Sequence, residues 1–204
     1  PNPNAPTGQL VELSFIEDVL EHNQDVIVIV DEAYIDFGGQ TALPLLEKYE
    51  NLLVVRTFSK SRCLAGLRIG YAIGNPSLIK ALNDVKYSFN SYTMNYPTIV
   101  MGTACMEDEE YFRDTVHKVM ATREWFGKEL IRLGFTFEKS YANFIFAKHK
   151  SVPANEIFEA AKKANIFVRY FNKPRISDYL RISIGTDDEM KAFVTFLEQY
   201  LQQS

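Results

Sequence analysis

The sequence has few cysteines: only Cys63 and Cys105 occur among its 204 residues. They stand far apart, with neither the close spacing of a zinc site nor the density of a disulfide scaffold. This usage is typical of the reducing cytoplasm, where thiols stay free. We therefore expect a cytoplasmic protein that has no cysteine metal site.

An excess of basic charge is also missing. The chain carries 22 lysine and arginine residues against 26 aspartate and glutamate residues, a formal net charge of −4. Proteins that bind the nucleic-acid backbone normally carry a basic excess, so we expect no nucleic-acid partner. Long apolar runs are missing too. Because a membrane-spanning helix needs about 20 apolar residues, we expect no membrane partner.

Strands and helices alternate in the first half of the sequence. VIVIVDEAY (Val26–Tyr34) begins with five β-branched residues, and NLLVVRTF (Asn51–Phe58) is similarly apolar. Both predict strands buried on both faces of a parallel sheet. A third strand is predicted at LRIGYAIG (Leu67–Gly74). The segment before it is shorter than the dozen residues that a parallel crossover needs, so the third strand should run antiparallel to the second.

The second half has a different pattern of predicted strands and helices. Short strands are predicted in NFIFAK, IFVRYF and YLRISIG. Helices are predicted at residues 9–23, 41–50, 75–86, 96–108, 109–134, 153–165 and 187–202, with Gly134 as the C-cap of the longest. We expect an α/β fold: the latter part of a mixed, mostly parallel large domain at residues 1–107, then a small α+β domain at residues 108–204.

The predicted topology gathers polar side chains at one edge of the first sheet. The second strand ends, and the third begins, beside the loop that carries Lys60 and Arg68, while Asp31 ends the first strand. This carboxyl edge is where open α/β sheets bind ligands. A lysine can bond to an aldehyde, an arginine can hold a phosphate, and a carboxylate can keep a pyridine nitrogen protonated. Pyridoxal phosphate needs this set.

Four motifs in order carry a family resemblance: NPNAPTG, VDEAY, TFSK and LAGLRIGY. They resemble fold type I pyridoxal-phosphate aminotransferases of classes I and II, most of all histidinol-phosphate aminotransferases. ANFIFA, FVRYF and LRISIGT extend the resemblance over the second half. Members of the family are longer than this chain, so we expect the chain to be their C-terminal portion and to be inactive alone.

The resemblance implies roles around the cofactor ring. Lys60 would bind the cofactor covalently and, once displaced by substrate, would move the proton. Asp31 would bind the pyridine nitrogen, and Tyr34 would bind the phenolic oxygen. The cofactor phosphate would be held by Thr57, Ser59 and Arg68.

Two positions depart from the family pattern. The asparagine common immediately before PTG is replaced by Ala5, with Asn4 one place earlier. Two alternatives stay open: Asn4 makes the contact with the phenolic oxygen instead, or this chain lacks that contact. After the lysine, SRC (Ser61–Cys63) replaces the small and aromatic residues more usual there.

Two arginines in the second half are candidates for the anionic end of the substrate. Strand alternation places Leu180, Ile182 and Ile184 on one face and Arg181 on the other. The resemblance implies that Arg181 binds the substrate, with Arg169 as a second contact.

The reaction implied is amino transfer from histidinol phosphate to 2-oxoglutarate in histidine biosynthesis, by a homodimer that takes an amino donor and a 2-oxo acid. Three alternatives stay open. Two keep the fold and the cofactor: an aromatic amino-acid aminotransferase and an amino-acid phosphate decarboxylase. The third is a non-catalytic aminotransferase-like domain.

Overall fold

The computed structural model describes residues 1–202, which form two compact units. The first unit comprises Pro1–Pro3 and Leu10–Thr115; the second comprises Asn4–Gln9 and the chain from Val116 onward. The boundary expected between residues 107 and 108 stays a prediction, and the last two residues of its second domain lie outside the described part. Within residues 1–202, no helix has the length and apolar character needed to cross a membrane.

A three-stranded mixed sheet forms the centre of the first unit. Its strands β1 (Val28–Asp31), β2 (Leu52–Thr57) and β3 (Gly70–Gly74) lie side by side in chain order. β1 and β2 are parallel, whereas β3 runs antiparallel to β2. The antiparallel direction of β3, predicted from the short connection before it, is therefore confirmed. The carboxyl ends of β1 and β2 share one edge of the sheet.

Only one face of this sheet is covered at β1. On that face Val30, Leu52 and Val54 are buried with Leu20 of helix α1 (Leu13–His22). Ile29 points to the other face and is 59% exposed. The expectation that the first strand is buried on both faces is therefore wrong for this side chain, because α1 and the segments around it pack on one side alone.

The remaining elements of the first unit are short turns and helices. The helix predicted at residues 41–50 is a 3-10 helix, Leu43–Glu47, and two more 3-10 helices lie at Ile35–Phe37 and Ala65–Leu67. Helices α2 (Pro76–Phe89) and α3 (Tyr96–Glu107) each start with proline in the first turn and an asparagine cap. Helix α4 (Glu109–Arg132) follows.

The second unit is built on a four-stranded antiparallel sheet. Its strands are β4 (Phe135–Phe137), β5 (Phe144–His149), β6 (Arg169–Tyr170) and β7 (Leu180–Ser183), in the spatial order β4-β5-β7-β6. Helices α5 (Ala154–Lys163) and α6 (Asp187–Leu201) supply its core with part of α4. β4 was not predicted. Gly134 has a φ of +88°, the left-handed conformation expected of a residue that ends a helix.

Alternation along β7 is confirmed. Leu180, Ile182 and Ile184 are all at most 8% exposed and lie in the core with the helices. Arg181 and Ser183 are less buried and face the other side of the sheet.

Candidate functional site

The carboxyl ends of β1 and β2 place two predicted site residues on one face of the first sheet. Asp31 is paired with Val55, and Thr57 stands two residues further along β2. Because side chains alternate along a strand, Asp31 and Thr57 project to the same side. That side is the one that α1 leaves uncovered at β1, where Asp31 is exposed, and Thr57 on β2 is half-buried.

Lys60 lies beside the turn that follows β1. Its Nζ is 5.4 Å from the centroid of the Tyr34 ring, a distance typical of a cation–π contact. Tyr34 precedes the 3-10 helix Ile35–Phe37, whose buried ends, Ile35 and Phe37, hold this turn against the unit. The structure thus brings together the lysine and the tyrosine, which are 26 positions apart in the sequence.

The Asp31 carboxylate is exposed and locally oriented. Its Oδ1 accepts a hydrogen bond from the Ala33 backbone N at 3.0 Å, and its backbone carbonyl accepts one from Asn2 N at 2.8 Å. This turn fixes one carboxylate oxygen and directs the group outward from the end of the strand. A carboxylate held in this way can accept a further hydrogen bond from a ring N–H.

Two hydroxyl residues precede Lys60 in the chain, and an arginine follows it. Thr57 Oγ1 accepts a hydrogen bond from Ser59 N at 3.1 Å and lies 2.9 Å from Ser59 Oγ. Arg68 is exposed, has a φ of 57°, and donates from Nη1 to the Ala65 carbonyl at 2.8 Å. Since a guanidinium has five N–H donors, this bond leaves donors for an anion.

Sequence reasoning missed a buried ion pair behind this edge. Glu32 is 2% exposed and accepts hydrogen bonds from Arg56 Nε at 3.0 Å, Arg56 Nη2 at 2.8 Å, Ala42 N at 2.6 Å and the Thr41 hydroxyl at 2.9 Å. Burial lowers the pKa of Arg56, but its hydrogen bonds and attraction to Glu32 outweigh this and raise it. The sequence contained one indication of this pair, because Arg56 is a charged residue inside an apolar strand. A charged residue in such a position rarely lacks a partner of opposite charge.

The two substrate-binding candidates lie in the second unit. Arg169 and Arg181 are directly opposite one another in the pairing of β6 with β7. The Arg181 guanidinium carbon lies 5.1 Å from the Phe144 ring centroid and 5.7 Å from that of Phe171. Its Nε is buried and has no hydrogen-bond partner among residues 1–202. Two cations with an unused buried donor form a site suited to an anion.

Asn4 also belongs to the second unit. Its Oδ1 accepts a hydrogen bond from the Thr7 hydroxyl at 2.8 Å, and its backbone carbonyl accepts one from Gly8 N at 2.8 Å. Because the side-chain oxygen serves this turn, a contact with a ligand would have to come from the Nδ2 donor. The first unit thus holds six of the predicted site residues, and the second holds Asn4, Arg169 and Arg181.

The chain is similar to a known protein family and to known proteins over almost its whole length. The family described as aminotransferase class I and II matches residues 1–197. A histidinol-phosphate aminotransferase of Lactococcus lactis subsp. cremoris (strain MG1363) is 53% identical over 201 residues, which cover 98% of this chain and 56% of that protein. Histidinol-phosphate aminotransferase 2 of Dechloromonas aromatica (strain RCB) is also 53% identical, over 199 residues, again 98% of this chain and 56% of the relative.

A solved structure shows the same fold. Histidinol-phosphate aminotransferase from Sinorhizobium meliloti, in complex with pyridoxal-5'-phosphate, superposes with a TM-score of 0.86 at 24% identity. The alignment covers 99% of this chain and 56% of that one. The chain therefore spans just over half the length of the relatives it matches.

Proposed function

Since the chain belongs to the class I and II aminotransferase family, we propose that it binds pyridoxal phosphate and takes part in amino transfer between histidinol phosphate and 2-oxoglutarate, a step of histidine biosynthesis. The observation that carries this proposal is the contact of Lys60 with Tyr34, whose ring centroid lies 5.4 Å from Lys60 Nζ and which follows Asp31, at the end of β1, by three residues. The relatives of 53% identity support the choice of substrate.

The side chains at this edge fit the cofactor chemically. Lys60 supplies an amine for an aldehyde, Asp31 an exposed carboxylate for a pyridine nitrogen, and Tyr34 a phenol for the ring oxygen. When bound, pyridoxal phosphate supplies an aldehyde carbon and an electron-accepting ring. Lys60 would hold it covalently and, once released, carry a proton at Nζ. Asp31 would keep the ring nitrogen protonated, because a carboxylate stabilises the adjacent positive charge.

The phosphate of the cofactor would lie beside the hydroxyls of Thr57 and Ser59 and the guanidinium of Arg68. The 2.9 Å contact between the two hydroxyl oxygens orients both groups together. Charge-assisted hydrogen bonds from arginine are among the strongest that proteins offer to a phosphate. Asn4 would add a contact to the ring through its Nδ2 donor.

Arg181 and Arg169 would bind the anionic end of the substrate. The unpaired Arg181 Nε supports this role, since a buried donor without a partner costs free energy until a ligand satisfies it. The facing position of Arg169 supports a second contact. One pair of arginines can serve both the phosphate of the donor and a carboxylate of the acceptor, because a guanidinium binds either anion in a bidentate manner.

A cytoplasmic homodimer is part of the same proposal, as are domains at residues 1–107 and 108–204. The homodimer is supported by large exposed side chains on α2, on α3 and between them: Phe89 is 81% exposed, Tyr92 94% and Tyr96 77%. Exposed apolar surface of this kind is typical of protein interfaces, and a second copy of the chain is the proposed occupant. The two free cysteines support the compartment.

The test is covalent labelling of a full-length protein that carries this sequence. The protein is incubated with pyridoxal phosphate, reduced with borohydride and digested, and the modified lysine is identified by mass spectrometry. We expect the label on Lys60, its loss in Lys60→Ala, and no change in Lys80→Ala, where the lysine is exposed on α2.

Turnover of histidinol phosphate with 2-oxoglutarate then tests the reaction. Labelling of another lysine, or normal turnover by Lys60→Ala, would contradict the cofactor site. A preference for phenylalanine over histidinol phosphate would remove the substrate assignment and leave the cofactor assignment standing.

A further inference from the structure

The residues that follow Lys60 form a tight turn with two anchors. Cys63 N donates to the Lys60 carbonyl at 3.1 Å, which closes the turn and makes Ser61 and Arg62 its central residues. Ser61 is only 4% exposed, and its hydroxyl donates to a carboxylate oxygen of Asp36. These are the positions where the sequence departs from the small and aromatic residues usual in the family.

Asp36 is itself held in place. It is the middle residue of the 3-10 helix Ile35–Phe37, between two side chains that are 5% and 2% exposed. Gly39 N donates to the Ile35 carbonyl at 2.9 Å and secures the end of this helix. Asp36 therefore presents a fixed acceptor two residues after Tyr34.

Arg62 anchors the other side of the turn. Its guanidinium carbon lies 3.9 Å from the centroid of the Phe112 ring, and its Nη1 donates to the Cys105 carbonyl at 2.8 Å. The arginine side chain is 12% exposed. Ser61 and Arg62 thus hold the turn against different parts of the first unit, so the turn cannot rotate without breaking one of the two anchors.

We propose that Asp36 and Ser61 are positioning residues for Lys60. Their hydrogen bond joins the residue after the lysine to the segment that carries Asp31 and Tyr34, and so sets the distance between the lysine amine and the groups that orient the cofactor ring. The inference rests on the proposed function.

The decisive measurement is the rate at which pyridoxal phosphate becomes fixed to Lys60 in full-length protein carrying this sequence, sampled by timed borohydride reduction and mass spectrometry. We expect Ser61→Ala to lower this rate about tenfold, consistent with loss of a hydrogen bond to a charged acceptor. Ser61→Thr keeps the hydroxyl and should restore most of the rate. Asp36→Ala should match Ser61→Ala, and the double variant should lose no more than either, because both remove the same bond.

Ser88→Ala is the matched control, because it removes an exposed serine hydroxyl that donates to the Asp84 carbonyl on α2. It should leave the labelling rate unchanged. Thermal unfolding of every variant separates positioning from folding, since the rates are compared well below the unfolding midpoint. If Ser61→Ala fails to fold, Asp36→Ala carries the test, because it removes the acceptor of the same hydrogen bond, and it should also slow labelling.

The outcomes separate this inference from the proposed function. Absence of label on Lys60 in the unaltered protein would refute the cofactor site itself. Normal labelling of Lys60 in the unaltered protein, in Ser61→Ala and in Asp36→Ala would overturn the positioning role and leave the proposed function intact.

Discussion

Replacement of Glu32 by alanine should destabilise the first unit strongly. The Glu32 side chain is 1% exposed, and its carboxylate accepts hydrogen bonds from Arg56, Ala42 N and Thr41. Glu32→Ala leaves the Arg56 guanidinium, whose side chain is 19% exposed, without its carboxylate. Removing one partner of a buried ion pair costs about 3–5 kcal/mol. Because water reaches part of Arg56, we expect a loss near 3 kcal/mol in the free energy of unfolding.

For a protein of this size, each kcal/mol lowers the melting temperature by about 2–4 °C. Glu32→Ala should therefore melt roughly 6–12 °C below the unaltered protein. The assay is thermal unfolding followed by circular dichroism, together with hydrogen exchange of peptides that cover β1 and β2. Faster exchange in these peptides would locate the damage.

Two further variants make the reasoning refutable. Asp84→Ala removes an exposed helical ion pair with Lys80, whose side chains are 62% and 75% exposed, and should cost less than about 0.5 kcal/mol. The double variant Glu32→Met with Arg56→Met removes both charges and should be more stable than Glu32→Ala alone. A loss below about 1 kcal/mol in Glu32→Ala would show that the pair contributes no more than a surface salt bridge does.

Two other predictions concern the second unit. Arg181→Lys keeps the charge but loses the bidentate geometry, so in the full-length protein it should weaken binding of both histidinol phosphate and glutamate by about 1–3 kcal/mol. Single-turnover kinetics of each half-reaction measure this, and unchanged kinetics would show that Arg181 does not bind the substrate. Burial lowers the pKa of His149 in the folded state, and its Nδ1 accepts a hydrogen bond from Val152 N that protonation would break. The unfolded protein therefore binds more protons below about pH 6.5, and stability should fall as the pH drops through that range. Urea unfolding at several pH values measures this. The free energy of unfolding should depend less on pH in His149→Gln than in the unaltered protein, whereas His117→Gln, an exposed control, should leave the dependence unchanged.

The sequence predicted the parts of the fold that depend on short-range rules. The loop before β3 was too short for a parallel crossover, and β3 does run antiparallel to β2. That deduction placed Arg68, just before β3, at the same edge of the sheet as Lys60. The parallel pairing of β1 with β2 brings Asp31 to this edge as well. Alternation likewise placed Arg181 on the face of β7 opposite Leu180.

The features that were missed depend on tertiary contacts or on very short segments. β4 has three residues, too few for a periodic pattern to stand out. The contact of Glu32 with Arg56 joins residues 24 positions apart, and the sequence around either residue does not identify its partner. The exposure of Ile29 depends on which neighbouring elements cover the sheet, which a run of apolar residues cannot reveal.

At the ends of β1 and β2, residues that are adjacent in the chain have different roles. Asp31 and Glu32 are chain neighbours, so alternation sends them to opposite sides of the sheet, and the same holds for Thr57 and Arg56. On the uncovered side, Asp31 and Thr57 can meet a ligand. On the covered side, Glu32 is buried and Arg56 is partly buried, and each charge there requires the other. The ion pair thus joins the two strand ends from behind, and a change at Glu32 should act on ligand binding through the placement of Asp31 relative to Thr57.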